Sequence, residues 1–504
     1  MDANTMRDLS LSFAIATMPE ANENIPVSTA ARKGTVSFRL LKNPAPPLSP
    51  SFTKTKNTIM NMKKARIRHA EHQPALVSGI ILADILPMLF SLFFAKINLL
   101  LQQNIFNPAR FPFLMLSPTA RKNLEKQGYR IIGSHSAVKV CGWTKKMIKG
   151  EGGCYKLKFY GIMSNQCLQM STSLSCANRC VFCWRGYKAP VSKNWKWGVD
   201  DPEFIVENSI KAQLDLLKGF GGNPDADRSA YEASKTIKHV ALSLTGEPIT
   251  YPRINDAIAE FHRRGISTFL VTNAQYPDEI RNLAPVTQLY LSMDAPTEEL
   301  LREIDKPLFP DFWERYIESM HALAQKKHRT CVRITAIKDM NMSHERNYAE
   351  LLRKADPDFI EIKGYMFVGA SRQRLSLKNM PLHEEVVAFA KRVVDLLPDY
   401  EIVSEHIPSR VVMAARKDFF RNGKWHTWID FDAFMDAVNS GREISSSGYV
   451  RLTPASFVGL SGKGTLDRMS AERRARVVAE RGIAIDENTE ELDFWKESEA
   501  SNGS

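Results

Sequence analysis

Cysteine is scarce in this sequence, and its scarcity excludes one class of protein. Seven cysteines occur in 504 residues, an odd number in a long chain. Secreted disulfide frameworks are short and carry cysteines in pairs, so this pattern argues against one. Two paired CxxC knuckles of the zinc-binding kind are also missing, since only Cys180 and Cys183 have that spacing. The cysteines therefore need another explanation, and six of them lie within residues 141–183.

Basic side chains only slightly outnumber acidic ones over most of the chain. The formal net charge is +12, but residues 1–114 hold 13 basic and 6 acidic side chains. The other 390 residues hold 55 basic and 50 acidic side chains, which nearly balance. Bulk charge therefore gives little indication of a polyanionic partner. Low-complexity tracts and long internal repeats are absent, as is typical of a globular protein.

The sequence lacks an uninterrupted apolar run of the length that crosses a membrane. Residues 76–101 are strongly apolar, but Asp84, Pro87 and Lys96 interrupt them. We therefore predict no membrane association.

The first 114 residues differ from the rest of the chain. Residues 1–75 are rich in Pro, Asn, Ser and Thr without periodicity, which is typical of disorder. We predict that residues 1–114 are a disordered or spurious extension. Translation is expected to start at or near Met115, because a Ser-Pro pair that can begin a helix follows it.

The six clustered cysteines form two groups of three. The first cysteine group is Cys141, Cys154 and Cys167, with twelve residues in each gap, and the second cysteine group is Cys176, Cys180 and Cys183, spaced CxxxCxxC. An iron–sulfur cube takes one thiolate for each iron that the protein ligates. Three thiolates therefore leave one iron open to a small molecule, and two such groups predict two 4Fe–4S clusters. Cys331 lies in an apolar run and is expected in the core.

Apolar β-branched runs alternate with amphipathic helices after the cysteine region, which is typical of parallel strands joined by helical crossovers. The predicted strands cover residues 168–173, 239–244, 267–272, 288–293, 332–337 and 359–365. Six such units favour an α/β fold, a partial (β/α)6 barrel. The chemistry of such barrels lies at the carboxyl ends of the strands, and the second cysteine group follows the first predicted strand.

Polar groups recur where the later predicted strands end. Because these ends meet at one rim of a barrel, we expect the side chains to lie together beside the second cysteine group. The candidates are Gly246, Glu247 and Pro248 after the second strand, Asn273 after the third, Ser292 and Asp294 at the fourth, Lys338 and Asp339 after the fifth, and Lys363 in the sixth.

The second cysteine group, with Phe182 before its last cysteine, resembles the cluster motif of the radical S-adenosylmethionine superfamily. The resemblance implies that its thiolates hold a 4Fe–4S cluster whose open iron binds S-adenosylmethionine, and that reduction releases a 5′-deoxyadenosyl radical. Gly246, Glu247 and Pro248 match the superfamily's second-strand motif, which holds the amino group of that cofactor. Asn273, Ser292 and Asp294 are expected as further cofactor contacts.

A narrower resemblance, to the tRNA 4-demethylwyosine synthases, runs from about residue 115 to residue 430. It rests on residues 135–141, 154–161, 180–185, 244–249, 269–275, 291–296 and 363–369. The chain looks like the archaeal single-module form, because residues 1–114 do not resemble the flavodoxin-like domain of the eukaryotic form. A separate electron donor, flavodoxin or ferredoxin, is therefore expected.

This resemblance implies a carbon–carbon lyase of wybutosine biosynthesis. Its substrate would be tRNA-Phe that carries N1-methylguanosine beside the anticodon, with pyruvate and S-adenosylmethionine as co-substrates. The radical would take hydrogen from the N-methyl group, and the resulting carbon radical would attack pyruvate. Two pyruvate carbons would be retained in the tricyclic 4-demethylwyosine, and the third would leave as a one-carbon product. An oxygen-sensitive cluster favours a reducing compartment, hence the cytoplasm.

Pyruvate has two candidate anchors. The open iron of a cluster on the first cysteine group would chelate its carboxylate and ketone oxygens. A lysine would instead form an imine, which needs an unprotonated amine. Lys363 is the favoured lysine because its strand places it near the rim, and Lys145, Lys146 and Lys156 are the alternatives.

RNA contacts are expected where cations lie beside aromatic side chains. The alternation of Trp195 and Trp197 is equally consistent with packing in a partly buried strand. The candidates are Trp184, Arg185, Lys188, Lys193, Trp195, Lys196, Trp197, Arg372 and Arg374.

The expected organisation is a cluster-binding extension over residues 115–165, a core barrel over 166–400, closing elements over 401–485 and an acidic flexible tail over 486–504. Two other functions stay open. A methylthiotransferase also carries a second three-cysteine cluster, but it usually adds an RNA-binding β-domain at the C-terminus. A non-catalytic electron carrier would use four cysteines per cluster, so six cysteines in two sites argue against it.

Overall fold

Strands and crossover helices alternate along the chain as the sequence predicts. The structure, a computed structural model, describes residues 115–186 and 189–465. The predictions for residues 1–114 and 486–504 lie outside the described residues. None of the helices in the described ranges is long and apolar enough to cross a membrane.

One mixed sheet of ten strands organises the described residues. Strands β3 to β8 are parallel and follow chain order, and antiparallel strands extend both edges. The ten strands are β1 (Arg130–Ile132), β2 (Ser136–Val138), β3 (Cys167–Ser171), β4 (His239–Leu242), β5 (Ser267–Thr272), β6 (Gln288–Ser292), β7 (Thr330–Ala336), β8 (Phe359–Gly364), β9 (Tyr400–His406) and β10 (Val411–Arg416). Two short pairs lie outside this sheet, β11 (Phe420–Arg421) with β12 (Lys424–Trp425) and β13 (Trp428–Ile429) with β14 (Val450–Arg451).

Helices precede, connect and follow the strands. They are α1 (Pro118–Lys126), α2 (Gly142–Ile148), α3 (Tyr155–Tyr160), α4 (Pro202–Leu217), α5 (Arg228–Ser234), α6 (Ile254–Arg263), α7 (Pro277–Asn282), α8 (Glu298–Asp305), α9 (Phe312–Ala324), α10 (Glu345–Ala355), α11 (His383–Val394) and α12 (Phe431–Asn439). Ser117 and Asp201 cap α1 and α4 by accepting backbone N–H bonds, and a proline occupies the first position of each helix.

The alternation of side chains along the strands separates a packed face of the sheet from an interior face. Successive side chains of a strand point to opposite faces. On β8, Ile360 and Ile362 are buried in the main apolar core, while Glu361 and Lys363 between and after them lie on the other face. The interior face therefore presents charged groups that the packed face does not.

The sheet continues past residue 400, where the sequence analysis ended the barrel. Strand β10 pairs antiparallel with β8, and β9 pairs antiparallel with β10. Residues 411–415 are buried, so this strand is part of the core rather than a closing element. A short apolar run does not reveal its pairing partner, which tertiary structure selects.

Candidate active site

The second cysteine group lies in the loop after β3, where the sequence places it. Electrostatic interactions connect each pair among Cys176, Cys180 and Cys183, so the three thiols converge. Burial raises the pKa of Cys176 to about 11 and that of Cys180 well above its usual value. Buried thiolates repel one another, and a bound iron–sulfur cluster would supply the balancing positive charge.

Backbone hydrogen bonds to the end of α8 hold the first half of this loop. The N–H groups of Arg179 and Val181 donate to the carbonyl oxygens of Asp305 at 2.9 Å and Ile304 at 2.8 Å. The side-chain amide of Asn178 donates to the Asp305 carboxylate at 3.1 Å. The cysteine loop is therefore anchored to a helix on one flank.

Glu247 and Asn273 meet the second cysteine group at the rim of the barrel. The Glu247 N–H donates to the Ser175 carbonyl oxygen at 2.7 Å. The Asn273 N–H donates to Glu247 Oε2 at 2.9 Å, and its side-chain amide donates to Cys176 Sγ at 3.4 Å. Two residues predicted from separate strand ends thus lie against the same cysteine.

Gly246 and Pro248 shape the turn that carries Glu247. The backbone of Gly246 has φ +75°, and a Cβ atom there would lie 2.0 Å from the Ser173 carbonyl oxygen. Pro248 begins a short helical turn, and the Thr172 hydroxyl donates to its carbonyl oxygen at 2.8 Å. The turn therefore packs directly on the segment that precedes the cysteine loop.

Several buried polar atoms around this turn have no hydrogen-bond partner among the residues that the structure describes. Such atoms are rare in folded proteins and need an explanation such as a bound ion, ligand or water. They are Ser175 Oγ and Thr245 Oγ1, and one oxygen each of Glu247, Asp294 and Asp305 also lacks a well-formed hydrogen bond, although Thr272, Thr335 and Cys180 respectively interact with these carboxyl groups. Burial raises the pKa of Glu247 to about 8, and a nearby cation would favour its ionised form. The set suits a polar ligand with a cationic amine.

Asp294 also interacts with the cysteine loop, whereas Ser292 lies two residues earlier, at the end of strand β6. Burial raises the pKa of Asp294 to about 6, and its charge in turn helps to raise the pKa of Cys180. Ser292 ends β6, where it pairs with Arg333 of β7 and is partly exposed. Lys338, the candidate after the fifth predicted strand, instead forms an ion pair with Glu385.

The first cysteine group converges as well, although long gaps separate its members in sequence. Cys141 precedes α2, Cys154 precedes α3 and Cys167 begins β3. Electrostatic interactions connect every pair, and burial together with the Cys154 thiolate raises the pKa of Cys167 to about 12. The Ser164 hydroxyl accepts a hydrogen bond from the Cys154 N–H at 2.9 Å, which fixes the turn before α3.

Neither group has the geometry of a site for a single metal ion. Within the described ranges, no three His, Cys, Asp or Glu side chains are close enough to hold one ion together. A cubic cluster has a different requirement, because each thiolate ligates its own iron. Thiolates are also the ligands that iron–sulfur clusters select, so the donor sets suit that cofactor.

The tyrosines of α3 pack on the interior face of the sheet around a buried carboxyl group. The Tyr160 hydroxyl donates to Glu361 Oε1 at 2.9 Å, and Tyr155 hydrogen-bonds to Arg333. Burial raises the pKa of Glu361, while the charges of Lys156 and Arg333 lower it. Opposite charges thus meet inside the barrel, beside α3, the helix that lies between Cys154 and Cys167.

Lys156 lies between the first cysteine group and this buried carboxyl group. Its Nζ is 4.4 Å from the ring centroid of Tyr290. Its charge lowers the pKa of Cys141 and Cys167, which burial raises, and it acts on Glu361 in the same direction. The Lys156 side chain could therefore contact a small acid bound at the first cysteine group.

Lys363, the lysine that the sequence analysis favours, also borders the buried charges. Its Nζ donates to the Ser409 carbonyl oxygen at 3.3 Å. Burial lowers the pKa of Lys363 to about 8, and the neighbouring cations Arg333 and Arg410 contribute to the decrease. A larger share of this amine is therefore free near neutral pH than in an ordinary lysine.

Lys145 and Lys146 are placed differently, on α2. Lys145 is exposed, and Lys146 Nζ lies 5.4 Å from the ring centroid of Trp143.

Comparisons with known proteins place this site in a family. Residues 170–352 match the radical SAM superfamily, and residues 354–416 match a family described as wyosine base formation. A structure of TYW1 with a lysine–pyruvate adduct bound is 34% identical and covers 60% of this chain and 97% of that chain, with a TM-score of 0.55. This chain belongs to the TYW1 family. A crystal structure of archaeal TYW1 is 32% identical and covers 60% and 98% of the two chains, with a TM-score of 0.50.

Curated TYW1-type relatives are S-adenosyl-L-methionine-dependent tRNA 4-demethylwyosine synthases. The Xenopus laevis protein is 48% identical over 350 residues, which are 68% of this chain and 48% of that protein. The Oryza sativa protein is 48% identical over 367 residues (71% and 56%), and the Saccharomyces cerevisiae protein is 44% identical over 347 residues (67% and 43%). The chain spans about half the length of the curated relatives it matches.

The kinship within the TYW1 family differs from the sequence-based expectation. An archaeal single-module form was expected, but the eukaryotic relatives share 44–48% identity with the chain and the archaeal structure shares 32%. The archaeal assignment is therefore unsupported. It rested on the dissimilarity of residues 1–114 to flavodoxin, which says nothing about the shared core.

Several side chains predicted to contact RNA have structural roles in this TYW1 family member. Arg185 donates to the carbonyl oxygens of Leu174 at 2.9 Å and Pro190 at 3.3 Å. The Trp195 ring packs edge-on against His135 at 4.8 Å. Lys188 lies outside the described residues.

Sequence reasoning missed the buried charges inside the TYW1 barrel. Arg333, Glu361 and the tyrosines of α3 were not among the candidates. Their signal was nevertheless present, because Arg333 and Glu361 each interrupt an apolar strand at an alternate position. A charged side chain there is either at an exposed face or in a functional interior, and the pattern alone does not distinguish these.

Proposed function

We propose that this protein is a tRNA-modifying radical S-adenosylmethionine lyase. It condenses N1-methylguanosine beside the anticodon of tRNA-Phe with pyruvate to form 4-demethylwyosine, a step of wybutosine biosynthesis. The observation that carries the proposal is the match to 97% of a TYW1 structure with a lysine–pyruvate adduct, together with two convergent three-cysteine groups.

In this proposal, the second cysteine group holds a 4Fe–4S cluster. When bound and reduced, that cluster supplies the electron that cleaves S-adenosylmethionine to a 5′-deoxyadenosyl radical. Glu247 accepts hydrogen bonds from the amino group of the cofactor, which the burial of its carboxyl group beside the cysteine loop supports. Asn273 holds Glu247 in place. Asp294, whose charge acts on Cys180, borders the same site, and Ser292 stays a predicted cofactor contact.

The first cysteine group holds a second 4Fe–4S cluster in the same proposal, with an iron open to the carboxylate of pyruvate. The convergence of the three thiols supports this role. The tyrosines of α3 and the apolar side chains around them exclude water from the reacting carbon.

We further propose that a lysine beside Glu361 forms an imine with pyruvate. Lys156 is our first candidate for this lysine, because its charge acts on both the first cysteine group and Glu361. The lowered pKa of Lys363 supports the competing assignment. Lys145 ranks lower because it is exposed, and Lys146 ranks lower because its ammonium group lies beside the Trp143 ring.

The electron donor is proposed to be a separate flavodoxin or ferredoxin, and the compartment a reducing cytoplasm. A methylthiotransferase remains the second enzyme candidate. Beyond Asp430, residues up to 465 contain only the two-residue strand β14, so this part of the chain holds no β-domain of the kind that such enzymes usually add.

Reconstituted protein, assayed without oxygen, tests the proposal. With dithionite, S-adenosylmethionine, pyruvate and tRNA bearing N1-methylguanosine, it should produce 5′-deoxyadenosine and 4-demethylwyosine. A non-catalytic electron carrier would make neither product, and a methylthiotransferase would make a sulfur-containing nucleoside without pyruvate.

A further inference from the structure

Arg374 binds the second half of the cysteine loop through several hydrogen bonds from one guanidinium group. Its Nε donates to the Val181 carbonyl oxygen at 2.9 Å. Its Nη2 donates to the carbonyl oxygen of Cys183, and both Nη atoms lie 3.3–3.4 Å from the Arg185 carbonyl oxygen. Sequence reasoning had assigned this arginine to RNA, but it faces the peptide that carries the last cysteine.

Backbone contacts also hold Trp184, the residue between Cys183 and Arg185. The Ala370 N–H donates to the Trp184 carbonyl oxygen at 2.9 Å. A Cβ atom on Gly369 would lie 2.6 Å from the same oxygen, and the backbone there has φ +58°. The backbone at Gly369 and Ala370 therefore lies directly against Trp184, and the Arg374 side chain bridges to the carbonyl oxygens on either side of it.

The two halves of the cysteine loop are held by different elements. The bonds from Arg179 and Val181 to the end of α8 hold the N-terminal half of the loop. They stop before Cys183, whose N–H donates within the loop to the Cys180 carbonyl oxygen at 3.2 Å, while its own carbonyl oxygen accepts from Arg374 in the segment after β8. A guanidinium group suits this task, because its donors have a fixed planar arrangement that a lysine ammonium lacks.

We propose that Arg374 is a positioning residue that fixes the peptide of Cys183 and thereby holds the third thiolate in place for the cluster. The inference rests on the proposed function in one respect, that the second cysteine group holds a cluster. It adds a residue from the segment after β8, the segment that matches the wyosine base formation family. Residues that orient cluster or metal ligands typically change affinity by about 10–100-fold when removed.

Iron release provides a test that does not depend on RNA, pyruvate or turnover. Arg374→Met, Arg374→Lys and the control Arg372→Met would be reconstituted without oxygen and exposed to an iron chelator well below the melting temperature. Arg372 is a matched control because it lies on the same turn and is exposed, with its guanidinium 5.2 Å from the Phe367 ring centroid.

Arg374→Met should release about half of its iron about tenfold faster than Arg372→Met, because only the second cysteine group loses its support. Arg374→Lys should be intermediate. The electron paramagnetic resonance signal that changes on addition of S-adenosylmethionine should decay with the fast fraction. If Arg374→Met does not fold, the comparison of Arg374→Lys with the control decides.

Two results would overturn the inference while leaving the proposed function intact. Iron release from Arg374→Met that matches the control would show that the grip does not hold the ligand. Equal acceleration of both halves of the iron, with a lower melting temperature of the apoprotein, would show a general loss of stability instead. A wild-type protein that takes up no iron would contradict the proposed function itself, and the inference with it.

Discussion

Replacing Gly246 by alanine perturbs the candidate site without changing any charge. The backbone at this position has φ +75°, and the added Cβ would lie 2.0 Å from the Ser173 carbonyl oxygen and 2.7–2.8 Å from backbone atoms of Leu174. These are backbone atoms, so no side-chain rotation relieves the contact. The segment that precedes Cys176 must therefore move.

Gly265 offers a matched control for the conformational cost. Its φ is +68°, but a Cβ there meets nothing within 4 Å. Both substitutions place alanine in the left-handed region, which costs about 1–2 kcal/mol. Only Gly246→Ala adds a displacement of the order of 1 Å at the cysteine loop, and a misplacement of that size reduces rates by about 100-fold.

The assay is 5′-deoxyadenosine formation from S-adenosylmethionine under dithionite, with melting temperature measured in parallel. Gly246→Ala should form the product about 100-fold more slowly than Gly265→Ala, while the two variants keep similar circular dichroism spectra. Equal rates in the two variants would refute the reasoning that Gly246 is required for close approach of the turn to the cysteine loop.

Three further predictions concern the clusters and the lysine. Reconstituted protein should hold about eight irons per chain, and about four after the second cysteine group is replaced by alanine; an iron assay that finds no change would contradict the ligand assignment. With the first cysteine group replaced by alanine, 5′-deoxyadenosine should still form but 4-demethylwyosine should not; recovery of that nucleoside at high pyruvate and low temperature would exclude a substrate-binding role for this group. Borohydride trapping with pyruvate should label Lys156, and the label should disappear in Lys156→Ala and persist in Lys363→Ala. Labelling of Lys363 that increases as pH rises through about 8 would instead assign the imine to that lysine, because its lowered pKa leaves the amine unprotonated above that pH.

The parallel core was predictable because its strands are strongly apolar and regularly spaced. The predicted strand at residues 267–272 coincides with β5, and the other five differ from β3, β4, β6, β7 and β8 by a few residues at their ends. The antiparallel edge formed by β9 and β10 was not predicted. Strands β9 and β10 follow no repeating unit, and their place beside β8 depends on contacts that are distant in sequence.

The candidate site likewise contains residues that the sequence predicts and residues that it does not. Glu247 and Asn273 were predictable because parallel strands bring their carboxyl ends to one rim, and Cys331 was correctly expected in the core. Arg374 was misassigned because its sequence context gives no sign of the carbonyl oxygens that it binds. An arginine in an exposed RNA-binding loop and one that supports a loop inside the protein have the same local pattern.

The central claim is that this chain joins pyruvate carbon to a methylated guanosine through radical chemistry. The most direct measurement is mass spectrometry of nucleosides from tRNA bearing N1-methylguanosine after anaerobic reaction with pyruvate labelled with carbon-13 at all three carbons, two of which the product should retain. The account predicts 4-demethylwyosine that carries pyruvate-derived label, formed together with 5′-deoxyadenosine and absent without S-adenosylmethionine. Formation of 5′-deoxyadenosine with unlabelled or unmodified N1-methylguanosine as the only nucleoside product would contradict it.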